Sequence, residues 1–549
     1  MKQIPVIDLF AGPGGLCEGF SHAIDGVCPF NTVLSIEKDT VAHRTLTLRA
    51  FAHYYMRNGF ELPKEYYEYV NSRIDREMLF ASCPDAAKEA CAVAWCAELG
   101  ATHPSKAEFD RRIKDSIDGE HDWVLIGGPP CQAYSLAGRS RSVGMIKNRD
   151  KITREEAIAE FNKDSRQRLY RQYLRIIAVH SPAVFVMENV VGMLSARVDG
   201  ERIFPKIIKD LKSPGDVAKN YFPELKVIRE KHKYRIFSFV TGKEESVEDG
   251  TKFLIRSENY GVPQCRHRVI LFGIRDDFFG DAASCVPALT ESVQNSVREA
   301  IGDLPEMKSA ISPKKHNDGI KGWDSWVARI VQDKVYSELD EDVQAKIVDA
   351  AARRKLMFRD GGKQPEWKHN HGKLRAWYDD PRLEVPLNHV ARSHMPMDLW
   401  RYLFVSAYGA AKKRSPVISD FPTALLPNHT NVNLDNDDKP QDFADRFKVQ
   451  LWDKPSSTVT SHISKDGHYF IHPDTAQCRS LTVREAARLQ TFPDNYFFEG
   501  NRTQQYHQVG NAVPPYLAYQ IAKVVWMVFK QVKKLPRSSQ GSDPFDTVH

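Results

Sequence analysis

The stretch PVIDLFAGPGGLCEGF, Pro5 to Phe20, decides how the rest of the chain is read. PVIDLF is a short β-rich run, GPGGL is a glycine turn, and CEGFSHAI reads as the helix that follows. Gly12, Gly14 and Gly15 at such a strand-to-helix turn let a ligand approach the backbone closely. TVLSIE is a second strand ending in Glu37, and Thr40 to about Ala52 has helical spacing. This β–turn–α–β–α order predicts a parallel sheet with helices on both faces. An acid at the end of the second strand suits a ribose diol, so turn and acid together point to an adenosine-containing cofactor. NAD and S-adenosylmethionine both fit at this point.

The remainder of the chain bounds that reading. At roughly 150 residues per domain, 549 residues predict three to four units. The 77 Lys and Arg against 71 Asp and Glu leave an excess of +6, too small to name a partner. No apolar run reaches the roughly 18 residues that span a bilayer, so a soluble cytoplasmic protein is expected. Nine cysteines, sparse and odd in number, argue against a disulfide framework. Cys83, Cys91 and Cys96 cluster without a C-x-x-C pair, in an Ala-rich helical stretch where core packing is expected and a metal is not.

Further strand-like runs stand at DWVLIG (Asp122 to Gly127), AVFVMEN (Ala183 to Asn189) and RVILFGI (Arg268 to Ile274), with helical spacing over Ser165 to Val179. After about Asp276 the chain turns rich in Pro, Asn, His, Lys and Trp, and strong helix signals return only with SLTVREAARLQTF and PPYLAYQIAKVVWMVFKQV. The expected organisation is an α/β domain over 1–275 with an insertion at about 53–118. A second, smaller domain follows over 276–475, then C-terminal helices over 476–532 that complete the first domain, and a polar tail over 533–549.

Three segments carry chemistry. GGPPCQAYS, Gly127 to Ser135, follows a strand, and its two prolines stiffen the approach to Cys131. A cysteine at the carboxyl end of a parallel strand lies where such folds place their ligands, which makes Cys131 a candidate nucleophile beside the alternative of an inert buried thiol. MENVVGM, Met187 to Met193, ends an apolar strand in Glu188, where desolvation would let the carboxyl group hold or donate a proton. NYGVPQCRHRVILFG, Asn259 to Gly273, sets Arg266 and Arg268 two residues apart, hence on one face of an extended segment, able to fix a carboxylate.

The ordered set DLFAGPGG, GGPPCQAYS, ENV, QCRHR, RSLTVREAARLQTFPD and QVGNAVPP resembles the DNA (cytosine-5) methyltransferase family of prokaryotic type. The resemblance implies a Rossmann-like, doubly wound mixed sheet of the class I methyltransferases with a target-recognition domain in the middle of the chain. It implies methyl transfer from S-adenosylmethionine to carbon 5 of a cytosine flipped out of double-stranded DNA, with no metal. Cys131 would attack carbon 6, Glu188 would hydrogen-bond the ring, and Arg268 would orient Glu188 with Arg266 nearby. The cofactor would lie along Asp8, Phe10, Ala11, Gly12, Gly14, Gly15 and Leu16, with Glu37 on the ribose and Pro130, Leu169, Asn511 and Val513 completing the pocket. One departure stands out: the Asp-Ile pair that often contacts the adenine amine is missing, leaving Asp110 and Asp115 as candidates.

For DNA, the resemblance places Ser135, Arg139 and Arg141 on a loop after the cysteine. Gly138 to Arg175 holds 11 basic and 5 acidic side chains, an excess equal to that of the whole chain. Arg353 to Trp377 holds 8 basic and 2 acidic ones, with Trp367, His369, His371 and Trp377 interleaved. That pattern fits a nucleic-acid surface and equally a folded basic face. A monomer is expected, either beside a separate restriction or defence subunit or acting alone as an epigenetic methyltransferase. RNA methylation and a catalytically silent DNA-binding module are the competing readings; a nicotinamide-dependent dehydrogenase accounts for the glycine turn but for none of the later motifs.

Overall fold

The computed structural model describes residues 2–130, 166–198, 200–223, 232–246, 248–280, 285–312, 322–357, 367, 372–426 and 446–534. Its centre is an eight-stranded mixed sheet. The strands are β1 (Ile4–Leu9), β2 (Phe30–Glu37), β3 (Ala94–Cys96), β4 (Val124–Gly127), β5 (Val184–Val190), β6 (Tyr234–Ser238), β7 (Leu254–Arg256) and β8 (His267–Arg275). Their order is β3-β2-β1-β4-β5-β8-β6, with β7 also pairing β8. β1 to β5 run parallel, whereas β8 is antiparallel to β5, β6 and β7. The order reverses between β1 and β4, and a crevice opens at such a switch point outside the carboxyl ends of the strands.

The runs of Val, Ile, Leu and Phe along β4, β5 and β8 are buried on both faces, as a covered sheet requires. One face packs on α1 (Gly15–Phe20) and α13 (Pro515–Lys534), through Phe20, Leu517, Ile521 and Val525. The other packs on α6 (Lys106–Ile117), α7 (Arg166–His180) and α8 (Ile203–Lys212). The C-terminal helix therefore closes the N-terminal domain, and no helix among the described residues is long and apolar enough to cross a membrane.

The insertion is narrower than the sequence suggests. β3 pairs in parallel with β2 at the sheet edge, and α6 leads from it into β4, so residues 94–117 are part of the α/β unit. What stands outside is α2 (Thr40–Arg57) beyond its first turns together with α3 (Lys64–Val70), α4 (Arg76–Ser82) and α5 (Pro84–Val93). These build a third core with Phe492, Tyr496, Phe498 and Tyr506 of the C-terminal region. In α5 the buried face is Ala86, Ala87 and Ala90. Cys83 is half-buried and packs against this core as expected, whereas Cys91 and Cys96 are exposed.

The middle region carries its own helical core, in which α9 (Glu341–Met357) packs on α10 (Pro396–Lys412) and Trp326 stacks on Trp400 at 4.8 Å. It is joined to the rest by α11 (Val483–Leu489), whose N-terminus has a full capping box of Thr482 and Glu485. Three arginines around this helix, Arg479, Arg484 and Arg488, are almost wholly buried. Arg479 pairs with Glu485, and Arg488 pairs with Asp494 and Asp303. Arg484 donates to the carbonyls of Leu387, Pro493 and Tyr496. The basic residues of the middle region are partly consumed in the same way. Arg353 pairs with Asp474, Trp367 is buried, and Trp377 stacks on His22 at 4.3 Å while donating to Thr491 O. Trp367 is thus buried, and the half-buried Trp377 is already stacked on aromatic neighbours; His369 and His371 lie outside the described residues.

Candidate active site

The turn after β1 is built from left-handed backbone: Phe10 at φ 58°, Gly12 at φ 57° and Gly14 at φ 102°. Phe10, Ala11 and Gly12 are partly exposed at the carboxyl end of the sheet, and burial begins at Pro13. The glycines divide accordingly. A Cβ at Gly12 would meet nothing within 4 Å, whereas one at Gly15 would collide with the carbonyl of Val513. Gly14 would touch Leu46 and, at 3.1 Å, the Tyr496 hydroxyl. Gly12 leaves its backbone open to a ligand, while Gly14 and Gly15 are required by packing. Val513 and its neighbours lie against the first residue of α1, so the C-terminal segment does return to the first turn. Leu16 is buried in the core beneath it.

Glu37 holds this turn. Its Oε2 accepts from Gly12 N–H at 2.8 Å and its Oε1 from Asp39 N–H at 2.8 Å. Each oxygen keeps a further lone pair for an outside donor. Asp8 lies behind the turn, fully buried; burial first, and then Glu37, push it well above the usual carboxylate range. Asp8 therefore underlies the pocket and does not line it. Asp110 is also placed elsewhere: it pairs with Arg175 and, at 2.9 Å, with His180, tying α6 to α7. Against the effect of burial, those two partners hold it below the usual range. Asp115 is exposed on α6. The acid just past the end of β3 is Glu98, 3.1 Å from Lys38. Sequence reading passed it over because β3 itself is only three residues long. Leu169 is half-buried in the first turns of α7, and Asn511 is exposed at the end of α12 (Arg502–Asn511).

The second half of the site is set by strand register. Glu188 on β5 stands opposite Ile270 on β8, and Arg268 stands opposite Val190. Alternate residues share a face, so Glu188 and Arg268 are diagonal neighbours on the side of the sheet covered by α1 and α13. Arg268 Nε lies 2.6 Å from Glu188 Oε1, with both side chains about 15% exposed. The carboxyl group is thus ion-paired with Arg268, the residue expected to orient it. Gly128 permits the arrangement, because a Cβ there would stand 2.7 Å from Glu188 Oε2. Residues 127–130 carry the chain past Glu188 directly toward Cys131. Pro130 is the last described residue of that segment; Cys131, Ser135, Arg139 and Arg141 lie outside the described residues.

Arg266 does not share the face of Arg268. β8 begins at His267, and the tight bend that brings Arg266 N–H to Gln264 O turns its side chain inward. The guanidinium is 2% exposed and donates to Val459 O at 2.8 Å and Gly510 O at 3.3 Å. Burial, and then Arg268, push it well below the usual arginine range. Arg266 braces three chain segments and does not reach the carboxylate. Gln264, unremarked in the sequence, works beside it: its amide donates to Leu489 O and Gln490 Oε1 and accepts from Val459 N–H. The only sequence signal for such a role was a polar residue next to the arginines. Of the basic stretch beyond Pro130, two described side chains have partners: Arg175 is paired with Asp110, and Arg171 lies over Tyr221.

The family model for C-5 cytosine-specific DNA methylases matches residues 99–526. The Type II methyltransferase M.Bpa9945I of Bacillus paralicheniformis is 33% identical over 95% of this chain and 98% of that protein. M.AgeI of Thalassovita gelatinovora is 26% identical over 94% and 98%, and M.DdeI of Desulfomicrobium norvegicum 26% over 97% and 91%. On fold, motif order and relatives together, this chain belongs to the C-5 cytosine-specific DNA methyltransferase family.

Proposed function

We propose that the chain methylates carbon 5 of one cytosine in a short DNA sequence through a covalent adduct with Cys131, with S-adenosylmethionine as the methyl source. The observation that carries this reading is the Glu188–Arg268 pair at 2.6 Å, held beside the segment that leads into Cys131. Carbon 5 of cytosine is a weak nucleophile, so the ring must first be activated. Once the base leaves the helix, at about a few kcal/mol, the Cys131 thiolate adds to carbon 6. Glu188 accepts from the exocyclic amine and shares a proton with ring nitrogen 3, drawing off the charge that the attack creates. Arg268 keeps that carboxylate in place. Carbon 5 would then take the methyl group, with S-adenosylhomocysteine as the leaving group, and loss of the carbon 5 proton to water with release of Cys131 restores the aromatic ring.

The residues present suit the cofactor. Phe10 offers an apolar ring for the adenine, Glu37 has acceptor capacity for the ribose hydroxyls, and the open backbone at Gly12 admits the methionine portion. Glu98, at the end of β3, replaces Asp110 and Asp115 as the acid for the adenine amine. Ala11, Pro130, Leu169, Asn511 and Val513 complete the set, while Gly14, Gly15, Leu16 and Asp8 support it from behind. When bound, S-adenosylmethionine supplies an electrophilic sulfonium methyl group. Because the relatives are named Type II methyltransferases, the chain is read as the modification partner of a separate restriction enzyme, acting as a cytoplasmic monomer.

The test is methyl transfer from labelled S-adenosylmethionine to unmethylated genomic DNA, transfer RNA or no nucleic acid, with bisulfite mapping of any labelled DNA. Label in DNA at cytosines of one recurring sequence is expected, and its absence from Cys131→Ala. Label confined to RNA would move the activity to the RNA-modifying branch. No label despite cofactor binding would make the chain a silent binding module.

A further inference from the structure

Besides the backbone bond from Ala11 N–H to Ile36 O at 3.1 Å, the glycine turn is held from outside by two side chains that differ in kind. One is Glu37, whose Oε2 accepts from Gly12 N–H. The other is Tyr496, which follows α11 in the C-terminal region and donates its hydroxyl to the carbonyl of Pro13. Tyr496 has no solvent exposure. Its ring is fixed by Phe492 at 4.7 Å and Phe498 at 5.2 Å, and Arg49 lies over it at 4.9 Å. The adjacent Asn495 accepts from Arg49 at 3.0 Å and donates to Asp380 of the middle region at 2.9 Å.

A turn with three left-handed residues in five positions is held in shape by its contacts, since non-glycine and even glycine backbone would otherwise sample other basins. In the reading above, Glu37 is shared with the ribose, so its grip on Gly12 is altered when the cofactor arrives. Tyr496 touches the turn from the interior and is untouched by the ligand. We propose that Tyr496 is a positioning residue for cofactor binding: its hydroxyl fixes the Pro13 carbonyl and thereby the Gly12 backbone that receives S-adenosylmethionine. This rests on the S-adenosylmethionine reading of the turn.

The test compares Tyr496→Phe with Tyr66→Phe. The Tyr66 hydroxyl, in the same aromatic core, donates to Asn495 O and does not touch the turn, so it controls for loss of a buried hydroxyl. Affinity for S-adenosylmethionine is measured by calorimetry, and KM for each substrate and kcat by methyl transfer to DNA. Tyr496→Phe should raise Kd and KM for S-adenosylmethionine by about tenfold, the effect of one lost buried hydrogen bond, with KM for DNA and kcat within about twofold. Tyr66→Phe should leave the cofactor affinity unchanged. Replacing Tyr496 by para-aminophenylalanine, which keeps a donor at that place, should restore it. Wild-type affinity in Tyr496→Phe, an equal loss in Tyr66→Phe, or failure of Tyr496→Phe to fold would each overturn the proposal. A wild-type protein that binds no S-adenosylmethionine would instead overturn the cofactor reading, whatever the variants do.

Discussion

The glycine turn at residues 10–15 and the arginine segment at residues 264–268 both repeat a residue type at short spacing, and in both the repeats have separate fates. Gly12 faces open space while Gly15 lies against the Val513 carbonyl. Arg268 pairs with Glu188 while Arg266, two residues earlier, is buried among backbone carbonyls. The turn divides because the C-terminal segment returns to cover its inner half. The arginines divide because the strand begins between them, so the face-sharing that spacing implies applies to only one. Within one motif, then, neighbouring residues serve the ligand and the frame, and distant chain decides which.

Variants sharpen that division. Arg268→Met should cost the most activity, a fall in kcat of about a hundredfold or more, because Glu188 loses the group that orients it; stability should move by about 1 kcal/mol or less at this partly exposed site. Steady-state methylation and urea unfolding of the same preparation check both halves. Gly15→Ala should lower stability by about 3 kcal/mol, since the colliding atom is backbone and α1 must move off the C-terminal segment. Arg266→Met should lower stability by about 2 kcal/mol through the carbonyls left unsatisfied, with kcat per folded molecule changed far less than in Arg268→Met. Equal activity losses in the two arginine variants would erase the distinction drawn between them. Gly12→Ala has room for its methyl group and pays only the left-handed backbone cost of about 1 kcal/mol, so its effect should appear in cofactor affinity.

The smallest effect expected is on pH. His389 donates from Nε2 to Pro305 O and accepts at Nδ1 from the Thr482 hydroxyl that caps α11, an arrangement suited to neutral imidazole. Burial pushes it from the ordinary 6.5 down to about 4. The unfolded chain therefore takes up this proton first, and stability is lost as pH falls from about 6.5 toward 4. Glu18, paired with Arg49 and His53, and Glu485, paired with Arg479, lie well below their ordinary 4.5 despite burial, and their contribution is lost only below that value. Thermal melts should thus decline in two stages, with His389→Gln reducing the first but not removing it, because burial also holds His22, His53, His394 and His468 below their ordinary value.

Much of the site was legible because its residues stand at or near the ends of apolar strands: Glu37 closes β2, and Glu188 lies two residues before the end of β5. What was illegible depends on contacts between remote segments. β3 has three residues in an Ala- and Cys-rich stretch and is a strand only because β2 lies beside it. The inward turn of Arg266 depends on Val459 and Gly510. Trp367 and Trp377 looked like stacking surfaces among positive charges, yet their partners come from residues 22 to 519 and occupy them. Tyr496 follows a quoted motif by two positions, but nothing local told that its hydroxyl reaches Pro13.

The central claim, that Cys131 and the Glu188–Arg268 pair form one active site on cytosine, is tested most directly with DNA carrying 5-fluorocytosine at the mapped target. Fluorine at carbon 5 cannot leave as the proton does, so the adduct should persist after methyl transfer. In the presence of S-adenosylmethionine the account predicts a denaturant-resistant protein–DNA complex with wild type, none with Cys131→Ala, and much less with Glu188→Gln. A complex that forms equally with Cys131→Ala, or wild-type methylation of ordinary DNA without any trapped complex on the fluorinated strand, would contradict it.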